Sequence, residues 1–86
     1  MFNFSIKEAK YINNYKVWLK FHDNKQGEVD LSGYLSGEIF QPLKSISYFK
    51  KLTLQRSTIS WENGADFAPE FLYDLVTKQN NRQTKP

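Results

Sequence analysis

One eight-residue segment, YKVWLKFH at Tyr15–His22, constrains the fold more than any other part of the chain. Successive side chains of a β-strand point to opposite faces, so apolar residues at every second position predict a strand with one buried face. The residues expected to face the core are Tyr15, Val17, Leu19 and Phe21. The opposite face carries Lys16, Trp18, Lys20 and His22.

Partner strands are predicted on both sides of this segment. Downstream, the turn-forming residues 23–27 lead into residues 28–32, where apolar and acidic residues alternate. The two segments predict an antiparallel hairpin whose loop contains Gly27. Upstream, Phe4–Ile12 is expected to form an edge strand, joined through a turn at Asn13–Asn14, because asparagine tolerates positive φ.

Two further strands are expected later in the chain. Residues 51–55 (KLTLQ) and 58–61 (TISW) alternate in the same way, and Arg56–Ser57 is the tight connection between them. Their expected buried members are Leu52, Leu54, Ile59 and Trp61.

Helical structure is predicted in the middle and at the end of the chain. In the middle, apolar residues recur at spacings near three and four, which indicates irregular helical turns around Pro42, a residue that a helix interior does not tolerate. These apolar residues are Ile39, Phe40, Leu43, Ile46 and Phe49. The segment Pro69–Val76 carries an apolar stripe and is expected to form a helix that covers the sheet.

The segment WENGAD, between the last strand and this helix, is interpreted as a structural joint. Asn63–Gly64 is a turn signal, Pro69 suits the first turn of a helix, and Asp66 is expected to accept hydrogen bonds from the helix start. Trp61 is expected to lie in the core beside it. The acids Glu62, Asp66, Glu70 and Asp74 also permit an acidic metal cluster, but acids at helix starts are ordinary and the joint is the favoured interpretation.

These segments predict an α+β fold. At 86 residues the chain is long enough for one small core, and its aromatic share of 16% with only three alanines favours strands plus a short helix. We expect a mainly antiparallel sheet of four to five strands, packed against the C-terminal helix and the irregular middle segment. Residues 1–77 are expected to form a single domain, and the polar, basic residues 78–86 a disordered tail.

Composition argues against several classes of function. The chain has no cysteine and one histidine, so we expect no structural zinc and no cofactor. His22 and Asp23 are neighbours on a strand and point apart, and we find neither a nucleophile motif nor a phosphate-binding loop, so we expect no enzymatic activity. The sequence shows no apolar run of membrane-spanning length and no signal peptide, and we expect a cytoplasmic protein without membrane contact.

Four pieces of the sequence, in order, carry a family resemblance: VWLKFHDN, GEVDLSGYL, IFQPLKSISYFKKLTL and ISWENGADFAPEFLY. From about Tyr11 to Val76 the chain resembles domain-of-unknown-function family 2442, a group of small bacterial proteins. The resemblance implies a compact α+β domain that occurs alone or fused to a DNA-binding helix-turn-helix. It also implies a gene that lies beside another small gene, as in toxin–antitoxin pairs. The family has no accepted catalytic residues, and nothing after Val76 matches the fused helix-turn-helix.

The lysine-flanked Trp18 is the main candidate for function. An aromatic residue on a polar strand face is a common anchor for a protein partner, and we predict a partner-binding surface of Lys16, Trp18, Lys20 and His22. The expected function is a non-enzymatic interaction module, an antitoxin-like partner of a neighbouring small protein. The open structural alternative is that a loop or the segment from Gly33 to Tyr48 folds over this face and buries Trp18.

Two other kinds of partner stay open. Weak nucleic-acid binding would use the stacking surface of Trp18 and a basic set formed by Lys16, Lys20, Arg56, Lys78 and Arg82. The net charge of +3 is small for such a role, and the C-terminal residues 78–86 account for most of it. Formation of a homodimer through an exposed sheet edge is the third alternative.

Overall fold

The computed structural model describes residues 4–79 and confirms the α+β class. Within this range, the first three strands are β1 (Ile6–Asn13), β2 (Lys16–Phe21) and β3 (Gln26–Asp30). They form an antiparallel sheet in the order β1-β2-β3, with β2 in the centre. The strand predicted from its alternating pattern is therefore the middle of the sheet.

Two asparagines make the tight turns of this sheet. Asn14 has φ +45° between β1 and β2, and Asn24 has φ +75° between β2 and β3. The prediction that Gly27 lies in the second loop is wrong, because β3 already begins at Gln26 and Gly27 pairs with Leu19. Asn24, which tolerates positive φ, supplies the conformation expected of the glycine.

The strands β4 (Thr53–Gln55) and β5 (Thr58–Ser60) form a separate two-stranded sheet. The single sheet of four to five strands is therefore corrected to five strands in two sheets. The predicted connection is confirmed: Arg56 and Ser57 have φ of +53° and +67°, the pair of positive values that a two-residue hairpin turn of type I′ requires. The Ile6 amide donates to the Ser57 carbonyl at 2.9 Å and joins the hairpin to β1.

The prediction that Leu54 of this hairpin is buried is wrong. Leu54 lies opposite the fully buried Ile59 but is itself 40% exposed. All three residues of β4 are exposed, so this strand lies at the margin of the core and leaves its apolar side chain in solvent. Leu52 is half-buried against the core, and Trp61 is buried as predicted.

The middle segment is helical and irregular, as predicted. A 3₁₀ turn at Ser32–Tyr34 is followed by a 3₁₀ helix at Glu38–Lys44, with Pro42 inside it, and by the short helix α1 (Ile46–Phe49). Leu43 and Phe49 are fully buried. A continuous helix is prevented because the proline ring removes one donor and clashes with the preceding turn.

The C-terminal helix α2 (Pro69–Gln79) is longer than predicted. Lys78 and Gln79, expected in a disordered tail, belong to its last turn. An ion pair of 3.0 Å joins Lys78 to Asp74, and the Gln79 amide oxygen accepts from the Asp30 amide at 2.8 Å. Residues 80–86 of the predicted tail lie outside the described residues.

The core lies between one face of the main sheet and the helical segments. The inward residues of β2 are fully buried, and α2 packs against β3. The main sheet contributes Ile6, Val17, Leu19, Phe21 and Val29, and Leu31 follows directly after β3. The covering layer contributes Leu35, Leu43, Phe49, Ile59, Trp61, Ala65, Phe67, Leu72, Leu75 and Val76. Within residues 4–79, no helix has the length and apolar character needed to cross a bilayer. The cytoplasmic location stays a prediction.

Candidate interaction surface

The strand register defines a second face of the main sheet, opposite the core, which we call the outer face. Each outward residue of β2 has outward neighbours on both sides, since strands in register place paired residues on the same face. Trp18 lies between Lys10 of β1 and Glu28 of β3. The outer face consists of Glu8, Lys10, Asn13, Lys16, Trp18, Lys20, Gln26, Glu28 and Asp30.

Trp18 is the one large apolar side chain among these paired positions. It is half-buried, and the Lys10 ammonium lies 5.6 Å from the centre of its ring. Such a cation–π contact contributes about 0.5–1 kcal/mol at an exposed site. The aliphatic stem of a lysine also covers apolar surface while its charge remains in water. Neighbours on the sheet itself therefore shield one part of the indole and leave another part open.

The segment that the sequence allowed to fold over Trp18 lies elsewhere. Its buried residues Leu35 and Leu43, and Phe49 directly after it, belong to the core on the other face. The Phe49 ring contacts Tyr11 and Tyr15, whose side chains are directed to the core side of the sheet, with ring centres 6.1 and 5.3 Å apart.

The charge of the outer face is balanced. Its paired positions carry three lysines and three carboxylates, which are Lys10, Lys16 and Lys20 and Glu8, Glu28 and Asp30. Asp30 accepts from the Ser32 amide at 2.9 Å, which holds its carboxylate at the end of β3. A face of balanced charge gives a phosphate backbone no net attraction, whereas a protein partner can present complementary charges of both signs.

His22 and Asp23 do not act as a pair. His22 is exposed directly after β2, and its backbone amide donates to the Ser5 carbonyl at 3.0 Å. Asp23 accepts from the Tyr73 hydroxyl at 2.6 Å and from the Lys25 amide at 2.9 Å. These hydrogen bonds, the one from Tyr73 first, lower the pKa of Asp23, and the same bond raises the pKa of Tyr73. The turn is thereby tied to α2, and Asp23 serves the fold.

The basic set considered for nucleic acid is dispersed. Lys16 and Lys20 lie on the outer face, but Arg56 lies in the turn of the second hairpin. Lys78 lies on α2, which packs on the core side of the sheet, and it is paired with Asp74. Arg82 lies outside the described residues.

The joint before α2 is held by both backbone and side-chain hydrogen bonds. The Trp61 amide donates to the Ala65 carbonyl at 2.9 Å, and Gly64 between them has φ +93°. The Asn63 side-chain oxygen accepts from the Ala65 amide at 3.1 Å, while its amide group donates to the Ile39 carbonyl at 2.9 Å. The Trp61 indole N–H donates to the Phe49 carbonyl at 2.8 Å, so the joint also holds the middle segment.

The role expected for Asp66 at the helix start is wrong. Asp66 forms a β-bridge with Ser60, and α2 begins three residues later at Pro69. Asp66 is exposed and precedes the first helical turn, which contains Glu70 as its acidic residue. Among residues 4–79, no group of three His, Cys, Asp or Glu side chains is placed to hold a metal ion.

Two features of the surface could not be predicted from the sequence. The contact of Trp18 with Lys10 depends on the register between β1 and β2, which contains two irregularities and is not readable from the pattern. An exposed aromatic cluster that includes Tyr34 and Phe71 joins residues far apart in the chain. The only local signal for it was the high aromatic share of 16%.

Comparison with known proteins gives a family and no function. A family model described as "Protein of unknown function (DUF2442)" matches residues 6–78. The matched range spans all five strands and nearly all of α2. No curated protein and no solved structure matches the chain.

Proposed function

The chain belongs to the DUF2442 family, whose description assigns no function, and from the surface of this chain we propose that it is a non-enzymatic protein-interaction module. The proposed partner is a small protein, which the chain binds in the manner of an antitoxin. The proposed contact surface is the outer face, with Trp18 at its centre.

The observation that carries this proposal is the position of Trp18. It lies on the central strand, faces away from the core and is half-buried between Lys10 and Glu28. Tryptophan is enriched among the residues that dominate binding energy, and such residues lie near the centre of an interface with a charged rim around them. A rigid sheet also presents its side chains without the entropy loss of ordering a loop.

The charge of the outer face favours a protein over a nucleic acid as partner. With three lysines and three carboxylates at the paired positions, binding to a phosphate backbone would bring acids as well as bases to the same surface. Weak nucleic-acid binding is the second candidate, because Lys16 and Lys20 flank a ring on which bases can stack. It predicts an affinity that falls with salt, with a log–log slope of roughly −0.9 per phosphate neutralised on duplex DNA.

A pull-down from a lysate of the native host tests the proposal. Tagged wild-type protein is compared with Trp18→Thr, which replaces the indole by a residue that also favours strands, and each lysate is used with and without nuclease. Leu54→Thr is the control, since Leu54 is a strand residue whose large apolar side chain is exposed, but it lies on the other sheet. Thermal melts establish that both variants are folded.

The proposal predicts one small protein in a stoichiometric amount, retained after nuclease by the wild type and by Leu54→Thr but lost from Trp18→Thr. Equal capture by Trp18→Thr would show that the outer face is not the contact surface. Capture that disappears with nuclease would replace the protein partner by nucleic acid.

A further inference from the structure

A row of four aromatic rings lies at the surface on the core side of the main sheet, away from Trp18. The rings of Tyr34, Phe71, Phe67 and Phe40 follow one another with centres 5.2, 5.9 and 5.0 Å apart. Phe67 is buried at 7% exposure and anchors the row to the core, while Phe40 and Phe71 are half-buried. Together with the adjacent Ile39, we call these residues the aromatic row.

The aromatic row leaves large apolar side chains in solvent. Tyr34 is 40% exposed and Ile39 is 48% exposed, the highest value among the large exposed hydrophobic residues of the described range. Two hydrogen bonds fix the backbone of the aromatic row: the Asn63 side-chain amide donates to the Ile39 carbonyl, and the Thr58 hydroxyl donates to the Phe67 carbonyl. A fixed, contiguous apolar surface of this kind is typical of a site that another protein covers.

The chain around the aromatic row is acidic, although the protein as a whole is basic. The row is formed by residues 32–41 and 66–74, and these two segments contain four carboxylates and neither lysine nor arginine. Glu38 precedes Ile39, Glu70 precedes Phe71, and Asp74 lies three residues after Phe71 on the same side of α2. Lys78, one turn further along the helix, is paired with Asp74 at 3.0 Å. The two segments therefore carry only negative formal charge, in a chain of net charge +3.

We propose that the aromatic row is a second docking surface, and that its occupant is a basic segment of a partner protein with apolar anchor side chains. The anchors cover Tyr34 and Ile39 and pack against the half-buried rings of Phe40 and Phe71. Lysine or arginine side chains that flank the anchors face Glu38, Glu70 and Asp74. The carboxylates contribute to the rate of association and to the choice of partner, and apolar burial contributes most of the affinity.

An NMR titration with a defined probe tests this surface. The probe is a synthetic amphipathic peptide of leucine and lysine, and the control is a peptide of the same length in which glutamate replaces lysine. The full chain is labelled at the aromatic rings and the isoleucine methyl groups. The expected result is a saturable shift of the resonances of Tyr34, Ile39, Phe40 and Phe71 with the basic peptide alone, weakened as salt is raised.

Matched variants make the test specific. Ile39→Ser removes an exposed anchor contact and is expected to weaken binding of the basic peptide by at least about fivefold. Ile46→Ser, the same change at another exposed isoleucine in the middle segment, is expected to leave binding unchanged. Replacement of Glu38 and Glu70 by glutamine is expected to reduce the salt dependence and the affinity together.

Several results would overturn the proposal. These are the absence of a saturable shift, equal binding of the glutamate peptide, shifts centred on Trp18, or equal losses from Ile39→Ser and Ile46→Ser. If the NMR resonances of the aromatic row shift when the protein alone is diluted, the occupant is a second copy of the chain. Shifts on deletion of residues 80–86 would identify the chain's own C-terminal segment. Either finding would contradict a basic partner.

Discussion

Replacing Thr58 by valine removes one buried hydrogen bond at the joint between β5 and α2 while the shape of the side chain is kept. Thr58 is 5% exposed, and its hydroxyl donates to the Phe67 carbonyl at 2.6 Å. Phe67 lies two residues before α2 and anchors the aromatic row. The hydrogen bond therefore fixes the segment that leads from the second hairpin to the closing helix.

Thr58→Val is expected to lower the free energy of unfolding, because valine leaves the Phe67 carbonyl without a hydrogen-bond donor. Removing one partner of a buried hydrogen bond costs about 1–3 kcal/mol, because the remaining group stays desolvated. The free energy of unfolding of a domain of this size is roughly 4–13 kcal/mol. With a urea m-value of about 1 kcal/mol/M, the unfolding midpoint of Thr58→Val should fall by about 1–3 M.

Urea unfolding followed by circular dichroism measures this loss against a matched control. Thr53→Val is the same chemical change in the same hairpin, but the Thr53 hydroxyl is exposed and lies 3.4 Å from the Ser60 carbonyl. Its free energy of unfolding should change by less than about 0.5 kcal/mol. The reasoning is refuted if Thr58→Val unfolds at the wild-type urea midpoint, or if Thr53→Val lowers the free energy of unfolding as much as Thr58→Val does.

Three further predictions concern other contacts of the fold. Tyr73→Phe removes the hydrogen bond that lowers the pKa of Asp23. Wild type should therefore have the higher free energy of unfolding above the ordinary carboxyl pKa near 3.9. The difference between the two proteins should shrink as the pH falls through the lowered pKa of Asp23. Urea unfolding between about pH 2 and 7 measures this, and a difference that does not depend on pH would exclude the contact. Gly64→Ala forces a side chain into φ +93° and should cost about 1–2 kcal/mol, whereas Gly33→Ala, which has no positive φ to strain, should cost less in the same thermal melts. Gln79→Ala removes the side-chain amide that caps the edge of β3 and should cost about 1 kcal/mol and speed hydrogen exchange at that edge; unchanged exchange would argue against the contact.

The parts of the fold that the sequence predicts are those set by local periodicity. Alternation in β2 identifies its buried and outward residues, and the positive φ of Asn14, Arg56 and Ser57 agrees with turns expected from short sequence signals. Pro42 likewise indicates an irregular segment, because its ring restricts the backbone wherever it occurs.

The parts that it misses depend on contacts between distant residues. Leu54 has the pattern of a core residue, but its strand lies at the margin of the fold and stays exposed. Gln79 has the character of a polar tail residue, but its amide meets Asp30 of β3, 49 residues away. Tyr34 and Phe71 form a common surface through a packing contact that no local period encodes.

The same distinction holds for the candidate surface. Alternation alone is enough to place Trp18, Lys16 and Lys20 on one face of the strand. The strand register then adds Lys10 and Glu28 and balances the charge. This balance supports the choice of a protein as the proposed partner.

Calorimetric titration of the captured small protein into purified wild type and Trp18→Thr tests the central claim most directly. An interface centred on this residue should lose at least about 2 kcal/mol, a decrease in affinity of roughly 30-fold, while Leu54→Thr should bind as wild type does. Equal dissociation constants for wild type and a folded Trp18→Thr would contradict the claim.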